Sequence, residues 1–166
     1  MREWVGNLEF EFVAGEFFQN NPFILPEFAE YGAAEAAGPR FLVDAYCGAG
    51  MFALSAASKF ELVEGIEVSE KAAECARKNA RINGIGNCSF SAGKAEDIFA
   101  GVAGKFPGAD TSVLIDPPRS GCDASFIRQL AEFSPAKIVY VSCGPDTQAR
   151  DAAELSRLGY RLEKLQ

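Results

Sequence analysis

The sequence predicts an α/β protein built on a doubly wound, mostly parallel sheet. Segments typical of strands and helices alternate after residue 39, and each strand-like segment is a short apolar run. Strands that are connected through helices pair in parallel, and the crossovers place helices on both faces of the sheet. The length of 166 residues, 48% of them hydrophobic, fits one globular domain with a sizeable core.

Five strands and their helices follow in order along the chain. The strands are predicted at 41–48, 62–68, 87–93, 111–118 and 137–143. The helices are predicted at 51–60, 69–83, 94–106, 123–133 and 146–158. Ser69 is a suitable N-cap for the second helix, and Gly84 is expected to end it. Ala72, Ala76 and Ala80 share one face of that helix, which is therefore expected to face the core.

The two ends of the chain differ from this repeating pattern. LEFEFV at 8–13 alternates like a half-exposed strand, and PEFAEYGAAEAA at 26–37 is typical of a helix. We therefore expect residues 1–38 to form a strand and helix extension and residues 39–166 to form the main domain. YRLEKLQ at 160–166 has the pattern of a sixth strand that has just begun. The sheet is accordingly expected to lack its last strands, as in a C-terminally truncated piece of a longer protein.

Composition excludes several classes of function. The sequence has no histidine, which excludes Ser-His and Cys-His hydrolases. Its five cysteines are scattered and never form a CxxC pair, so we expect reduced thiols, no disulfide framework and no metal site. The net charge of −7 argues against this chain binding nucleic acid by itself through contacts with phosphate groups. With neither a leader pattern nor a long apolar stretch, the expected protein is soluble, intracellular and cytoplasmic, without membrane contact.

The turn DAYCGAG at 44–50 joins the first of these strands to a helix. Gly48 lets the backbone approach a ligand closely, and the helix N-terminus offers free N–H groups. Glu67 ends the next strand, where a carboxylate can accept both hydroxyls of a ribose. The pair fits a nucleoside cofactor, either S-adenosylmethionine or NAD. A tight strand-to-helix turn beside a surface glutamate would give the same pattern without a ligand.

Two further residues follow the last two predicted strands. Asp116 in LIDPPRSG precedes two prolines that form a rigid lip, although a capping aspartate after a strand would look similar. Cys143 in IVYVSCGPDTQARD lies just before a helix, whose N-terminal partial charge favours a thiolate. An isolated cysteine is more often a small apolar filler. A dehydrogenase has little use for both residues, so together they favour S-adenosylmethionine over NAD.

Five motifs together resemble a known family. They are FFQNNPF at 17–23, VDAYCGAGMF at 43–52, GIEVS at 65–69, LIDPPRSG at 114–121 and YVSCGPDTQARD at 140–151. In this order and spacing they resemble the RNA uracil-C5 methyltransferases, which make 5-methyluridine in tRNA or rRNA, over about residues 8–158. The resemblance implies a Rossmann-like class I methyltransferase fold of seven strands. It also implies Cys143 as the nucleophile and a pocket for S-adenosyl-L-methionine lined by Gln19, Tyr46, Glu67 and Asp116, with Gly48 in its glycine turn.

The family's chemistry implies a particular use for the cysteine. A thiolate adds to C6 of uracil, C5 then takes the methyl group, and a base removes the C5 proton so that the thiolate can leave. The substrate is an RNA, with tRNA expected, whose uridine lies in a loop or is flipped out. This chain has Gly144 where the family usually has asparagine. The family's glutamate base would follow Gln166, so this chain is expected to begin the reaction but not to complete it.

Two alternatives remain open from the sequence. RNA cytosine-C5 methyltransferases resemble the chain in fold but carry Pro-Cys where this chain has Pro117 and Pro118. A module that binds S-adenosylmethionine or RNA without turnover would need no base. The oligomeric state is not predicted by any pattern in the sequence.

Overall fold

The computed structural model describes residues 1–13, 21, 23–93 and 98–166. The strands in these ranges are β1 Arg2–Val5, β2 Leu8–Glu11, β3 Phe41–Ala45, β4 Leu62–Glu67, β5 Cys88–Ala92, β6 Thr111–Ile115 and β7 Lys137–Tyr140. The α-helices are α1 Leu25–Ala36, α2 Met51–Ala56, α3 Glu70–Ile82, α4 Ile98–Val102, α5 Ala124–Phe133 and α6 Pro145–Arg157. None of the helices in these ranges has the length and apolar character needed to cross a membrane.

The central sheet has the strand order β5-β4-β3-β6-β7, and every neighbouring pair is parallel. The doubly wound parallel sheet predicted from the sequence is therefore confirmed. Strands β3 and β6 are buried along their whole length, which explains why FLVDA and TSVLI are nearly continuous apolar runs. The edge strands β5 and β7 are only partly buried.

Side chains of β3 alternate between two hydrophobic clusters, one on each face of the sheet. Leu42 joins the cluster formed with α1, α2 and α3, which also contains Phe52. Val43 joins the cluster on the other face, where Phe126 and Leu130 of α5 lie. The period of two along a strand thus divides one apolar run between two cores.

Helix α3 has the features expected of it. The Ser69 hydroxyl accepts a hydrogen bond from the Ala72 backbone N–H at 3.3 Å, and Gly84 follows the helix with φ of +65°. Ala72, Ala76 and Ala80 are all buried, as their shared helix face predicts. Since small side chains line this face, α3 lies close to the sheet.

An N-terminal hairpin of β1 and β2 packs beside α3. Only β2 was expected, and the missed signal is the Gly6-Asn7 pair, a typical two-residue hairpin loop between the partners Val5 and Leu8. Phe10 of β2 is fully buried in the same cluster as Leu42. The hairpin therefore contributes to the main core.

Asn79 of α3 and Asn83, which directly follows the helix, form hydrogen bonds with the backbone of β2. Asn79 accepts from the Glu11 N–H at 2.8 Å and donates to the Glu11 and Ala49 carbonyls at 2.9 and 3.0 Å. Asn83 accepts from the Glu9 N–H at 2.9 Å and donates to its carbonyl at 2.8 Å. Through Ala49, this contact reaches the turn that follows β3.

The end of the chain departs from the prediction of a sixth strand. Residues 160–166 contain no strand, and the Tyr160 N–H instead donates to the Leu155 carbonyl at 3.0 Å. Lys164 forms an ion pair with Glu35 of α1 at 2.7 Å. The segment is held by the end of α6 and by α1, and β7 pairs only with β6 in the described chain.

Candidate active site

The carboxyl ends of four strands meet at one edge of the sheet. Ala45 of β3 lies level with Ile66 of β4 and Ile115 of β6, and Ile115 lies level with Tyr140 of β7. The chain leaves β3 toward β4 on one side, whereas β6 lies on the other side of β3. Such a reversal opens a crevice at the carboxyl edge, where α/β proteins bind their ligands.

The turn after β3 adopts a left-handed backbone at three positions. These are Tyr46, Gly48 and Gly50, with φ of +65°, +53° and +86°. A Cβ atom at Gly48 would have no heavy atom within 4 Å, so this position faces open space. A Cβ at Gly50 would lie 3.0 Å from the Phe90 ring and 3.1 Å from Ala76. Gly48 thus leaves room for a ligand, whereas Gly50 is required for packing.

Glu67, at the end of β4, lies against this turn. Its carboxylate accepts hydrogen bonds from the backbone N–H groups of Gly48 and Ser69, each at 3.0 Å. The two cofactor signals found 19 residues apart in the sequence are therefore in direct contact. Val68, the next residue, is 70% exposed, which places an apolar surface beside the carboxylate.

A buried carboxylate that was not among the predicted site residues lies beneath the turn. Asp44 of β3 is fully buried, and its Oδ2 accepts from the Ala53 backbone N–H of α2 at 2.9 Å. Its Oδ1 is buried and has no hydrogen-bond partner among the described residues. Burial raises the pKa of Asp44 well above its ordinary value, the Ala53 hydrogen bond opposes this, and the negative charges of Asp116 and Glu67 add to it. The sequence pattern that could have indicated Asp44 is a charged side chain within an apolar strand.

Asp116 and Tyr46 border the crevice from the side of β6. The Asp116 backbone N–H approaches the Ala45 carbonyl at 3.5 Å, so this aspartate follows β6 next to the end of β3. The Tyr46 ring packs against Phe126 with centroids 5.4 Å apart, and burial raises the pKa of its hydroxyl. Tyr46 therefore forms part of the wall between the turn and α5.

Cys143 is exposed and lies between β7 and α6. Strand β7 ends at Tyr140, so the predicted strand to residue 143 is three residues too long. The chain changes direction after Cys143 because α6 begins at Pro145, and proline is favoured in the first turn of a helix. Gln19, the remaining predicted pocket residue, lies outside the described residues.

A threonine joins the Cys143 loop to the loop after β6. The Thr147 hydroxyl is within hydrogen-bonding distance of two carbonyl acceptors, that of Gly144 at 2.9 Å and that of Arg119 at 3.1 Å. The same contact brings the segment following Asp116 next to Cys143. Of the predicted site residues, Tyr46, Gly48, Glu67, Asp116 and Cys143 all lie at this edge. No cluster of three potential metal ligands occurs among the described residues.

The sheet order and the glycine turn with its acidic partner are typical of Rossmann-like domains, the class that includes methyltransferases. The solved tRNA (uracil-54, C5)-methyltransferase of Pyrococcus abyssi, in complex with S-adenosyl-L-homocysteine, is similar to the chain with a TM-score of 0.80 at 29% identity. The match covers 93% of this chain and 37% of that chain.

Relatives of known name show the family. The tRNA (uracil(54)-C(5))-methyltransferases of Saccharomyces cerevisiae and Schizosaccharomyces pombe are 45% identical over 157 residues and 44% identical over 164 residues. These matches cover 90% and 93% of this chain but only 24% and 31% of the relatives' length. The family model described as tRNA (Uracil-5-)-methyltransferase matches residues 5–165. The chain belongs to this family.

Proposed function

We propose that this domain transfers a methyl group from S-adenosyl-L-methionine to C5 of a uridine in RNA, with tRNA as the RNA. The transfer would proceed through a covalent adduct between the Cys143 thiol and C6 of the base. The observation that carries the proposal is the shared edge of the sheet: Glu67 ends β4 and Gly48 follows β3, and the exposed Cys143 follows β7, the second strand beyond β3. Family membership supports the same reaction.

The residues at the edge fit the cofactor's chemical groups. The Glu67 carboxylate, already oriented by two backbone N–H groups, has lone pairs left to accept ribose hydroxyls. The exposed Val68 offers an apolar surface for a base, and Gly48 offers space for close approach. The negative charge of Asp116 would favour a ligand carrying positive charge. When bound, S-adenosylmethionine supplies an electrophilic methyl group on a sulfonium centre.

Cys143 would perform the nucleophilic step. Its sulfur forms a bond to C6 of uracil, and the electron pair of the C5–C6 double bond moves to give an enolate with density at C5. C5 would then take the methyl group as the carbon–sulfur bond of the sulfonium breaks, and its electron pair would stay on sulfur to leave a neutral thioether. Loss of the C5 proton to a base restores the double bond and expels the thiolate. We assign no residue of this chain to that base.

The RNA partner would have to present an unstacked uridine. Attack on C6 occurs from the face of the ring, which neighbouring bases cover in a duplex, so the base must lie in a loop or be flipped out. The exposed position of Cys143 is compatible with a base arriving from solvent. An RNA substrate also implies an intracellular protein.

Calorimetry with S-adenosylmethionine tests the cofactor half of the proposal. Replacing Glu67 with glutamine removes a charged acceptor of two hydroxyls, so we expect binding to weaken roughly 10- to 150-fold, the equivalent of about 1.5–3 kcal/mol. Glu61→Gln is the matched control, because Glu61 precedes the same strand and pairs with Arg40 in solvent. Equal affinity of the Glu67→Gln variant and the control would refute the assignment.

An RNA loop containing 5-fluorouridine tests the nucleophile. Fluorine at C5 cannot leave as a proton does, so the methylated adduct should persist as a covalent protein–RNA band on a denaturing gel. Cys143→Ala should abolish the band, and Cys75→Ala, which alters a partly buried cysteine of α3, should not. Saturable cofactor binding without any adduct would instead favour a module that binds without turnover.

A further inference from the structure

A buried aspartate to which the proposed reaction assigns no role ends the segment YVSCGPDTQARD. Asp151 of α6 is only 3% exposed. Its Oδ2 accepts from the Cys122 backbone N–H at 2.8 Å and from the Tyr140 hydroxyl at 2.7 Å. Its Oδ1 accepts from Arg150 Nε at 2.8 Å. One carboxylate therefore joins α6, the end of β7 and the loop that follows β6.

Two other side chains of α6 bind the same loop. Arg150 donates to the carbonyls of Ser120 and Cys122, both at 3.1 Å, and Thr147 donates to the carbonyl of Arg119. Residues 150 and 151 lie three and four positions after residue 147, so both share a side of the helix with it. This face binds nearly every backbone carbonyl of the loop from residue 119 to residue 122.

The loop approaches α6 too closely for any larger residue at position 121. Gly121 has φ of +76°, and a Cβ there would lie 2.6 Å from Arg150 Nη2 and 2.7 Å from Asp151 Oδ2. A Cβ at Gly144 would lie 2.8 Å from Thr147 Oγ1. The contact between this loop and α6 is therefore close-packed, and the loop has little freedom to shift while it is intact.

The same network reaches the cofactor side of the crevice. The Cys122 sulfur lies 4.0 Å from the Tyr140 hydroxyl, and Cys122 also interacts with the Tyr46 hydroxyl, whose pKa it helps to raise. Tyr46 belongs to the turn that contains Gly48. A continuous set of contacts thus runs from the cofactor turn, through Cys122 and Tyr140, to Asp151 beside the Cys143 loop.

We propose that Asp151 is a positioning residue: it holds the loop after β6 against α6 and thereby sets the placement of Asp116 relative to Cys143. This inference rests on the proposed function. Asp151 need not touch the cofactor or the uridine to act. It keeps the two loops at the separation at which sulfur, C5 and the methyl group can align.

The test compares Asp151→Asn with Asn87→Ala. Asn87 makes two hydrogen bonds, to the carbonyls of Ala57 and Phe60 at 2.8 and 2.9 Å, near the opposite edge of the sheet. It therefore controls for a general loss of stability. In Asp151→Asn we expect the rate of adduct formation with 5-fluorouridine RNA to fall by roughly 100-fold at saturating cofactor, because misplacement of about 1 Å has an effect of that size. Cofactor affinity should change little, and Asn87→Ala should reduce neither.

A second measurement requires neither RNA nor cofactor. Cys122 is only 6% exposed, so a neutral maleimide should modify it slowly in the wild-type chain. Asp151→Asn should speed this modification by about 10-fold through local opening of the loop, as determined by peptide mass spectrometry. Tyr140→Phe removes a single hydrogen bond to Asp151 and should give a smaller increase, which keeps the test available if Asp151→Asn does not fold.

The outcomes separate this inference from the proposed function. Unchanged modification of Cys122 and an unchanged adduct rate in Asp151→Asn would overturn the positioning role. Equal losses of adduct rate in Asp151→Asn and Asn87→Ala would also overturn it, since a stability effect would then suffice. If the wild-type chain binds no cofactor and forms no adduct, the proposed function fails, and the Cys122 rate still decides whether Asp151 holds the loop.

Discussion

Replacing Gly65 with alanine should lower the free energy of unfolding of the domain, because Gly65 packs close to the turn at 44–50. Gly65 lies in β4, and a Cβ at this position would be 2.4 and 2.6 Å from two carbons of the Phe90 ring and 3.0 Å from the Cys47 sulfur. The ring would have to move by about 1 Å to reach the ordinary contact distance of 3.4 Å.

The surroundings of Phe90 give the magnitude. Its side chain is 6% exposed and lies against Gly50 on the side of the turn, so it has no free space to enter. Overpacking of this kind costs about 1–3 kcal/mol. Urea denaturation should detect the loss, and each kcal/mol should lower the melting temperature by about 2–4 °C. Because the displaced ring pushes on Gly50, affinity for S-adenosylmethionine should fall as well.

Gly86→Ala provides the control. A Cβ at Gly86 would meet no heavy atom within 4 Å, so its free energy of unfolding should stay within about 0.5 kcal/mol of wild type or rise slightly. If Gly65→Ala unfolds at the same urea concentration as wild type, the ring is free to move and the reasoning is refuted.

Two further predictions concern ionisable side chains. Since burial raises the pKa of Asp44, the native state holds an extra proton above pH 3.8, and that stabilisation is lost as the pH rises toward the folded-state pKa. The Asp44→Asn side chain stays neutral, so the free energy of unfolding of this variant relative to wild type should increase by about 1.4 kcal/mol for each pH unit between the two pKa values. Urea titrations between about pH 5 and pH 7 measure this difference. A difference that stays constant with pH would contradict the prediction. At about pH 8 a thiol reagent should modify Cys143 in the native protein, because it is exposed. Cys122, whose pKa burial raises to about 12, and Cys47, whose pKa burial also raises, should react chiefly after unfolding, and rapid native modification of either would count against their burial.

Most of the sheet follows from local patterns. Strands β3 and β6 are predictable because they are buried on both faces and need an unbroken apolar run. Helix α3 is predictable because Ser69 caps it and alanines line one face. The end of β7 is not predictable in the same way. The apolar run continues to residue 141, and the Val141 N–H still donates to the Ile115 carbonyl at 2.8 Å, but β6 ends at Ile115 and offers β7 no further partner.

Strand ends and residue chemistry indicated four of the candidate site residues from the sequence. Parallel strands bring their carboxyl ends to one edge, so Gly48, Glu67, Asp116 and Cys143, each following a different strand or its turn, could be expected to meet there. Tyr46 came from the family resemblance and also lies at this edge.

Asp44 and Asp151 required the tertiary structure. Spacing along a chain reports which edge or face a residue occupies, but a carboxylate acquires its role from burial and from partners distant in sequence. Asp44 is distinguished by a buried oxygen that has no hydrogen-bond partner among the described residues, and Asp151 by hydrogen bonds to Cys122 and Tyr140. The sequence by itself determined the parallel sheet and the edge at which its chemistry is placed. Only the packed structure decided which polar groups lose water there, because burial depends on every element that surrounds them.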